Sequence, residues 1–313
     1  QALVVPALSP LMVGIIRQLK ARFQNRVGAS VFQPYWDLWK LFHKDEVISS
    51  DASWITRFSP YLLFSITVLV GMSVPVMTAI PVSVGGDAAL PFLLSGDFII
   101  VIYLLALGTF FLALSGMDAG SGFGGFGASR EMMVAALAEG GLFFSLLVAS
   151  VVSESGNVML MVSQLQALPL QAFMPILIAF LAFMIALLAE NGRFPVDNPS
   201  THLELTMIHE AMILEYSGRH LALIEWAASL KLFAYSCAGL AIFFPWGIAE
   251  ARDHAALLWA LPALVAKLAI GGFALALVET ILAKMRIFRV PEFLATAFLL
   301  GVLAILVHLL LGA

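Results

Sequence analysis

The sequence predicts an all-α, polytopic membrane protein with about eight transmembrane helices and amphipathic cytoplasmic segments. Of its 313 residues, 61% are hydrophobic and 12% are charged, and the mean hydropathy is +0.99. An average globular protein has about 25% charged residues, so a soluble domain could not hide this much apolar surface. Apolar windows of about 20 residues recur along the chain, and each is long enough to cross a hydrocarbon core of about 30 Å as a helix.

Charged segments separate eight apolar runs, which we expect to be helical because an isolated strand in lipid leaves its backbone groups unpaired. No repeat or linker divides the sequence, so residues 1–313 are expected to form a single membrane domain. The first run is short and the chain begins at Gln1, which leads us to expect further residues upstream. The predicted spans are 2–16, 60–82, 98–116, 131–152, 171–189, 220–248, 257–281 and 293–312. The predicted cytoplasmic loops are 17–59, 117–130, 190–219 and 282–292.

Lysines and arginines lie almost entirely on one side of the predicted spans. Of the 16 basic residues, Lys231 and Lys267 fall inside spans, and Arg252 lies on the opposite side. The positive-inside rule makes the basic side cytoplasmic, and with eight spans both termini then face outward. The basic residues of this side are Arg17, Lys20, Arg22, Arg26, Lys40, Lys44, Arg57, Arg130, Arg193, Arg219, Lys284, Arg286 and Arg289.

Composition excludes several classes of function. The formal net charge of −4 and the lack of a basic stripe argue against nucleic-acid binding. Cys237 is the single cysteine, so the chain has no internal disulfide and cannot build a cysteine-ligated metal cluster by itself. We therefore expect no metal site in this chain.

Six ionisable residues fall within the predicted spans, where a charge at mid-helix costs at least about 2.5–3.5 kcal/mol. Near span ends, long side chains reach the membrane interface, which is the expectation for Glu225 and Glu279. His308 is expected to be a hydrogen-bonded or interfacial histidine. The remaining three, Glu139, Lys231 and Lys267, are expected to face a hydrated interior of the helix bundle and to take part in proton movement.

An acidic segment runs from the fifth predicted span into the sixth. This segment could be a solvated loop. Its apolar residues, such as Leu203, Met207 and Ile213, instead indicate a stretch that is buried against the rest of the protein. Residues 198–200 (NPS) would start a short helix over 200–214, which could place Glu210 and Glu215 on one face. Its acidic residues are interleaved with His202, His209 and His220 and, like Glu279, are candidates for a proton pathway: Glu190, Asp197, Glu204, Glu210, Glu215 and Glu225.

Two motifs are misleading. Residues 120–125 (GSGFGG) satisfy the GxGxxG pattern but follow an apolar span rather than a strand, so we expect a flexible cytoplasmic loop and no dinucleotide site. His209 and Glu210 begin like a zinc-protease motif, but Ile213 stands where the second histidine would be required.

The first cytoplasmic segment, residues 17–59, mixes basic residues with many aromatic ones. Val31, Tyr35, Leu38 and Phe42 recur at nearly helical spacing, which predicts an amphipathic helix along the membrane surface. The same features would suit the docking of a soluble subunit through Asp37, Lys40, Lys44 and Glu46. The sequence does not separate these two interpretations.

Several motifs together resemble the subunit 1 (H) family of respiratory complex I and its hydrogenase relatives. Residues 33–41 (QPYWDLWKL), followed by Lys44 and Glu46, resemble the first cytoplasmic loop of that family. Residues 189–197 (AENGRFPVD) are similar to the opening of its acidic loop, and residues 215–218 (EYSG) match its most recognisable tetrapeptide. Residues 129–132 (SREM) with Glu139, and residues 284–289 (KMRIFR), resemble the hydrogenase branch, which contains the membrane anchors of hydrogenase-4 and formate hydrogenlyase. The resemblance covers essentially the whole chain.

The resemblance implies a membrane anchor, without a cofactor of its own, in a bacterial or archaeal cytoplasmic membrane. Its implied partners are hydrogenase large and small subunits with a nickel–iron centre and iron–sulfur clusters, further iron–sulfur subunits, and antiporter-like membrane subunits. The resemblance also implies an acidic path beneath the redox module, formed at the matching positions by Glu190, Asp197, Glu204 and Glu215. Glu139 would continue this path into the membrane. The residues implied in partner docking or in a quinone-like cavity are Gln33, Pro34, Asp37, Lys40, Lys44 and Arg193.

Two competing functions follow from the same residues. The first is a quinone-binding membrane subunit of an NADH:quinone oxidoreductase. The complex I pattern is richer in glutamate just before Glu204, where this chain has residues 200–202 (STH), and such changes reshape the cavity that binds quinone. The second is a stand-alone secondary transporter, which predicts a repeat between the two halves of the chain. The sequence contains no such repeat.

Overall fold

The computed structural model describes residues 3–75, 78–79, 96–168, 173–197, 207–250 and 254–311. Within these ranges the chain is predominantly helical, with one pair of two-residue parallel strands, β1 (Thr78–Ala79) and β2 (Ala249–Glu250). A short 3₁₀ helix occupies Ile287–Arg289. The α-helices are α1 (Val4–Phe23), α2 (Gln33–Phe42), α3 (Trp54–Ser73), α4 (Phe98–Asp118), α5 (Gly122–Val152), α6 (Val158–Gln166), α7 (Met174–Glu190), α8 (His209–Ile213), α9 (Gly218–Phe243), α10 (His254–Ile281) and α11 (Val290–Leu311).

The predicted all-α membrane fold is confirmed. Seven of the helices in the described ranges are long and apolar enough to cross a membrane, namely α1, α3, α4, α5, α9, α10 and α11. The remaining predicted span, 171–189, corresponds to α7, an apolar helix of 17 residues at the lower limit of about 17 for a transmembrane helix.

Several predicted spans begin or end at other residues in the structure: α3 ends at Ser73 rather than at 82, α5 begins at Gly122 rather than at 131, and α9 ends at Phe243 rather than at 248. Helix α1 continues beyond residue 16 to Phe23, with Lys20 and Arg22 in its last turn, where cations interact favourably with the helix dipole. Helix α3 begins at Trp54 rather than at residue 60, because the Ser53 hydroxyl accepts a hydrogen bond from the Ile55 amide and caps the helix. The polar residues at these ends continue the helices instead of ending them.

The predicted flexible loop at 117–130 is wrong, because α5 already begins at Gly122. The Ser121 hydroxyl accepts a hydrogen bond from the Gly124 amide and caps the helix. A Cβ atom on Gly124 would lie 2.0 Å from the carbonyl oxygen of Gly116, so the backbones of α4 and α5 touch at this point. These glycines allow close helix packing rather than flexibility.

The predicted amphipathic helix of the first cytoplasmic segment is confirmed as α2, with Pro34 in its first turn. It packs on α1 and α9, where the Tyr35 hydroxyl donates a hydrogen bond to the Ala7 carbonyl oxygen. The Phe42 and Trp226 rings meet edge to face. Trp36 and Trp39, on the other face of the helix, are exposed.

Helix α8 is the part of the predicted 200–214 helix that the structure describes. The predicted starting residues 198–200 lie outside the described ranges. Because α8 ends at Ile213, Glu215 follows the helix, and the predicted shared face with Glu210 is wrong.

A short helix, α7, lies at the centre of the helix bundle. Helix α7 packs against α5, α9 and α11, and Ala179, Ala182 and Ala186 on it have no exposed surface. Small residues allow close approach of neighbouring helices, as is usual in membrane proteins. The last residue of α7 is Glu190, so this packing holds a carboxylate at the end of a buried helix.

Candidate functional site

A cavity of about 520 Å³ lies where the last turns of α1 and α7 meet the first turns of α9. Its apolar wall includes Ile16, Ile66 and Leu105. Helices α1, α4, α5, α7, α9 and α10 each contribute a charged or polar side chain to it. The ionisable residues that line it are Arg17, Lys20, Arg26, Glu131, Glu190, Arg193, Asp197, His209, Glu210, Glu225, Lys231 and Glu279.

Glu190 and Lys231 form an ion pair in the cavity wall. The Lys231 Nζ atom lies 2.9 Å from Glu190 Oε2 and 3.3 Å from the Thr109 hydroxyl. Glu190 is 8% exposed. A charge removed from water in this way must be paired, so the structure explains why Lys231 is tolerated within a membrane span.

Glu279 lies between two cations. Its carboxylate contacts Lys20 Nζ at 3.1 Å and Arg193 Nη1 at 3.2 Å. Glu279 is buried, so the expectation that it reaches the membrane interface is wrong. The two ion pairs join α10 to α1 and to the segment that follows α7. The Lys20 ammonium also lies over the ring of Phe194, 4.4 Å from its centroid.

Asp197 connects the acidic segment to the last two helices. Its carboxylate accepts a hydrogen bond from Lys284 Nζ at 2.9 Å and one from the His209 amide at 3.3 Å. Burial lowers the pKa of His209, and the charge of Lys231 lowers it further, although Asp197 acts in the opposite direction. We therefore describe His209 as a neutral histidine in the cavity wall.

Glu139 lies deeper in the bundle and does not line the cavity. It is eight residues beyond Glu131 on α5, or about 12 Å along the helix. It interacts electrostatically with both Glu190 and Lys231. The Glu190–Lys231 pair therefore belongs to the cavity wall, and Glu139 lies further along α5.

The predicted charged residues Lys267 and Glu215 lie apart from the cavity. The Lys267 Nζ atom donates a hydrogen bond of 2.6 Å to the Phe244 carbonyl oxygen at the end of α9, beside apolar residues that include Leu240 and Leu264. The predicted role of Lys267 in proton movement stays a prediction. Glu215 is exposed beside Ser49.

Three other predicted residues have different outcomes. Glu225 lines the cavity rather than reaching a lipid interface, contrary to expectation. Glu204 lies outside the described residues. The Nδ1 atom of His308 is buried and has no hydrogen-bond partner in the described part of the chain, which leaves the interfacial alternative as the prediction for this residue.

Among the described ranges, no group of three or more histidine, cysteine, aspartate or glutamate side chains is arranged to hold a metal ion. Cys237 is buried in α9.

The sequence matches the NADH dehydrogenase family over residues 1–310, which is nearly its whole length. This chain belongs to that family. The match agrees with the resemblance of its loop motifs to the subunit 1 (H) family of complex I.

Within the family, the chain is similar to membrane subunits of hydrogenase complexes. It is 36% identical to formate hydrogenlyase subunit 4 of Escherichia coli (strain K12) over 292 residues, which are 93% of this chain and 91% of the relative. It is 34% identical to hydrogenase-4 component C of the same organism over 304 residues, which are 97% and 92% of the two chains. The H subunit of the NADH-quinone oxidoreductase of Wolbachia pipientis wMel is 28% identical over 276 residues, or 82% and 79%.

The fold is shared with a solved respiratory complex. A chain of the membrane-bound sulfane sulfur reductase, an archaeal respiratory membrane complex, superposes with a TM-score of 0.82 at 21% sequence identity. The match covers 98% of this chain and 96% of the other. At this identity the likeness establishes the family fold.

The residues of the predicted docking segment lie on and after α2. Asp37, Lys40 and Lys44 are exposed, and the Gln33 side-chain amide donates a hydrogen bond of 2.9 Å to Asp37. Pro34 is buried. We refer to these three exposed residues, Asp37, Lys40 and Lys44, as the candidate docking surface.

Glu46, also expected in docking, is held within the chain. Its carboxylate contacts Arg219 Nε at 3.0 Å and His220 Nδ1 at 3.6 Å. Next to it, the Ser217 hydroxyl accepts a hydrogen bond from the Val47 amide and donates one to the Val47 carbonyl oxygen. Glu46 therefore fixes the first cytoplasmic segment to the start of α9.

Sequence reasoning missed Glu131 and the basic residues of α1 as members of the site. Glu131 stands at the edge of a predicted span, and Arg17 and Lys20 were assigned to a loop. The signal that could have found them is helical spacing. Arg17 and Lys20 continue the period of α1, so they lie on the bundle side of a helix that extends past its apolar residues.

Proposed function

We propose that this chain is the membrane anchor and ion-translocation coupling subunit of a respiratory membrane-bound hydrogenase complex. In this role it docks a soluble nickel–iron and iron–sulfur module and links electron transfer in that module to proton or sodium movement. The relatives that support the proposal are formate hydrogenlyase subunit 4 and hydrogenase-4 component C. The observation that carries it is the buried Glu190–Lys231 pair in the cavity wall, which interacts electrostatically with Glu139.

The docking step uses the cytoplasmic side of the bundle. The candidate docking surface presents both signs of charge on the side where the cavity-lining segments 190–197 and 209–210 also lie. A soluble subunit seated there would cover the cavity mouth and bring its terminal redox centre close to Arg193. The redox cofactors belong to the partner subunits, and antiporter-like membrane subunits would complete the complex.

The coupling step uses the ionisable wall of the cavity. A change of charge at the redox centre shifts the protonation of the nearest carboxylates, Glu210 and Asp197. Because interacting ionisable groups titrate as a coupled set, the shift extends to the Glu190–Lys231 pair and from there to Glu139. We assign these residues to the proton path, with the basic loops in the cytoplasm and both termini outside.

The test is Glu139→Gln in the assembled complex, reconstituted in sealed vesicles. We expect normal assembly and normal hydrogenase activity with a soluble dye, together with loss of ion uptake, because Gln cannot accept a proton. A pH indicator and radioactive sodium distinguish the two ions. The matched control is Glu292→Gln, since Glu292 is exposed at the start of α11. Normal ion uptake in Glu139→Gln would contradict the coupling role.

The identity of the partners has its own test. Co-purifying subunits from the native membrane are identified by mass, and a large subunit with cysteine-ligated nickel is expected. A complex of NADH dehydrogenase subunits without nickel would refute the hydrogenase assignment.

The second candidate is a quinone-binding membrane subunit. It is favoured by the cavity volume of about 520 Å³, which lies in the range of about 300–1,000 Å³ usual for small-molecule sites. The cavity also combines an apolar wall with Arg193. Quinone-dependent turnover of the complex, sensitive to Arg193→Met, would support this candidate, and turnover independent of added quinone would exclude it.

A further inference from the structure

Two buried polar atoms beside the ion pair have no hydrogen-bond partner among the residues that the structure describes. Lys231 occupies Oε2 of Glu190, whereas Oε1 of the same carboxylate is buried and unpartnered. The hydroxyl of Tyr235 is also buried; it interacts with Glu190 but makes no hydrogen bond of 3.5 Å or less among the described residues, and the whole residue is 3% exposed. A buried polar group without a partner costs about 1–3 kcal/mol, and phenylalanine would fill the same space at no such cost.

The helix geometry directs Tyr235 towards Glu190. Tyr235 is four residues after Lys231, so the two side chains share one face of α9. The Tyr235 ring packs against Phe183 on α7, with 6.2 Å between centroids. Phe183 is seven residues, or two turns, before Glu190 and therefore lies on the same face of α7.

The same phenol also interacts with the deeper carboxylate. Tyr235 has electrostatic interactions with Glu190 and with Glu139. Helix α5, which carries Glu139, packs directly on α7. The Tyr235 side chain thus lies on the Glu190 side of the α7–α9 contact and interacts electrostatically with Glu139, which is inside the bundle.

We propose that Tyr235 is the proton-relay residue between Glu190 and Glu139. Once side-chain rotation or a water molecule connects the groups, the Tyr235 oxygen accepts a proton from the protonated Glu190 carboxyl while its own hydroxyl proton passes to the Glu139 carboxylate. The Glu190 O–H bond breaks, a new O–H bond forms on Glu139, and the tyrosine ends neutral as it began. This inference rests on the proposed ion-coupling function and adds a residue to it.

The experiment compares Tyr235→Phe with Tyr103→Phe in the full complex in sealed vesicles. Tyr103 is an exposed residue of α4 and serves as the matched control. We expect Tyr235→Phe to lower ion uptake by about a hundredfold, because general acid–base groups contribute about 10²–10⁴-fold to proton transfer. Dye-linked hydrogenase activity should stay at the wild-type value, and the thermal midpoint should not fall below it, since the Phe183 contact is kept and a buried hydroxyl without a hydrogen bond is removed. Infrared difference spectra with ring-labelled tyrosine should show a tyrosine band on turnover that Tyr235→Phe removes and Tyr103→Phe retains.

The outcomes separate this inference from the proposed function. Normal ion uptake in Tyr235→Phe, with loss in Glu139→Gln, overturns the relay and leaves the coupling role intact. Normal uptake in both variants overturns both. Failure of Tyr235→Phe to assemble would give the hydroxyl a structural role and also overturn the relay.

Discussion

Lys231 and Glu190 form a 2.9 Å ion pair that joins α9 to the end of α7. The side chain of Glu190 is 4% exposed and that of Lys231 is 17% exposed, so solvent screens the pair little. Removing one partner of a buried pair leaves an uncompensated charge, whereas removing both is often close to neutral. This asymmetry yields the first prediction.

Lys231→Met should lower the free energy of unfolding by about 3–5 kcal/mol, and adding Glu190→Gln should recover much of the loss. Thermal unfolding in detergent, followed by circular dichroism, measures both. Lys40→Met on the exposed face of α2 is the control and should have little effect. Equal, additive losses from the two substitutions would show that the pair is not energetically coupled.

Glu279→Gln should release two cations at once, because the Glu279 carboxylate contacts both Lys20 and Arg193. We expect a larger loss of thermal stability than in Lys20→Met, in which Glu279 keeps Arg193. Faster modification of Arg193 by phenylglyoxal should accompany it. Glu292→Gln, on the exposed side of α11, provides the baseline. An effect no larger than this baseline would mean that the two contacts contribute nothing to stability.

The free energy of unfolding should decrease as the pH decreases, in a pH range set by His209. Its pKa is lowered in the folded state by burial, so below its ordinary value of 6.5 the unfolded chain binds a proton that the folded chain excludes. Stability attributable to His209 is therefore complete above about pH 6.5 and declines as the pH falls towards the folded-state pKa. His209→Gln should remove this part of the decline, whereas His43→Gln, on the exposed C-terminal end of α2, should retain it. Thermal midpoints between pH 5 and pH 8 test this, and identical pH profiles of wild type and His209→Gln would disprove it.

Gly124→Ala should destabilise the contact between α4 and α5 by about 1–3 kcal/mol, because the added Cβ atom would meet backbone that cannot move independently. That atom would lie 2.0 Å from the Gly116 carbonyl oxygen. Gly125→Ala is the matched control, since its Cβ atom would meet open space in the described structure. The control should gain up to about 1 kcal/mol of helix propensity. Thermal unfolding of the two variants should therefore shift in opposite directions, and shifts of the same sign would refute the close contact.

The sequence predicted some residues of the cavity correctly, but it also indicated a charged residue that lies elsewhere. Glu190, Asp197, Glu210 and Lys231 were identified by their charge next to or inside apolar runs, and Arg193 by the family resemblance. The structure brings all five to one cavity. Lys267 has the same sequence signal but binds a carbonyl oxygen at the end of α9 instead. A charge within an apolar run shows that a partner is needed, but it does not show which one.

Hydropathy alone determined the membrane class and the approximate positions of the spans, because these depend on the free energy of transfer between water and lipid. The side of the membrane that carries the basic loops stays a prediction from the lysine and arginine count. The loop motifs were sufficient to predict the family. Only the tertiary structure decided which faces of the helices meet: that α7 ends in the core, that Glu279 lies between Lys20 and Arg193, and that Glu210 and Glu215 point to different places. The reason is that helix rotation and register arise from packing between neighbours distant in sequence, such as the Gly124–Gly116 contact, and hydropathy carries no information about them.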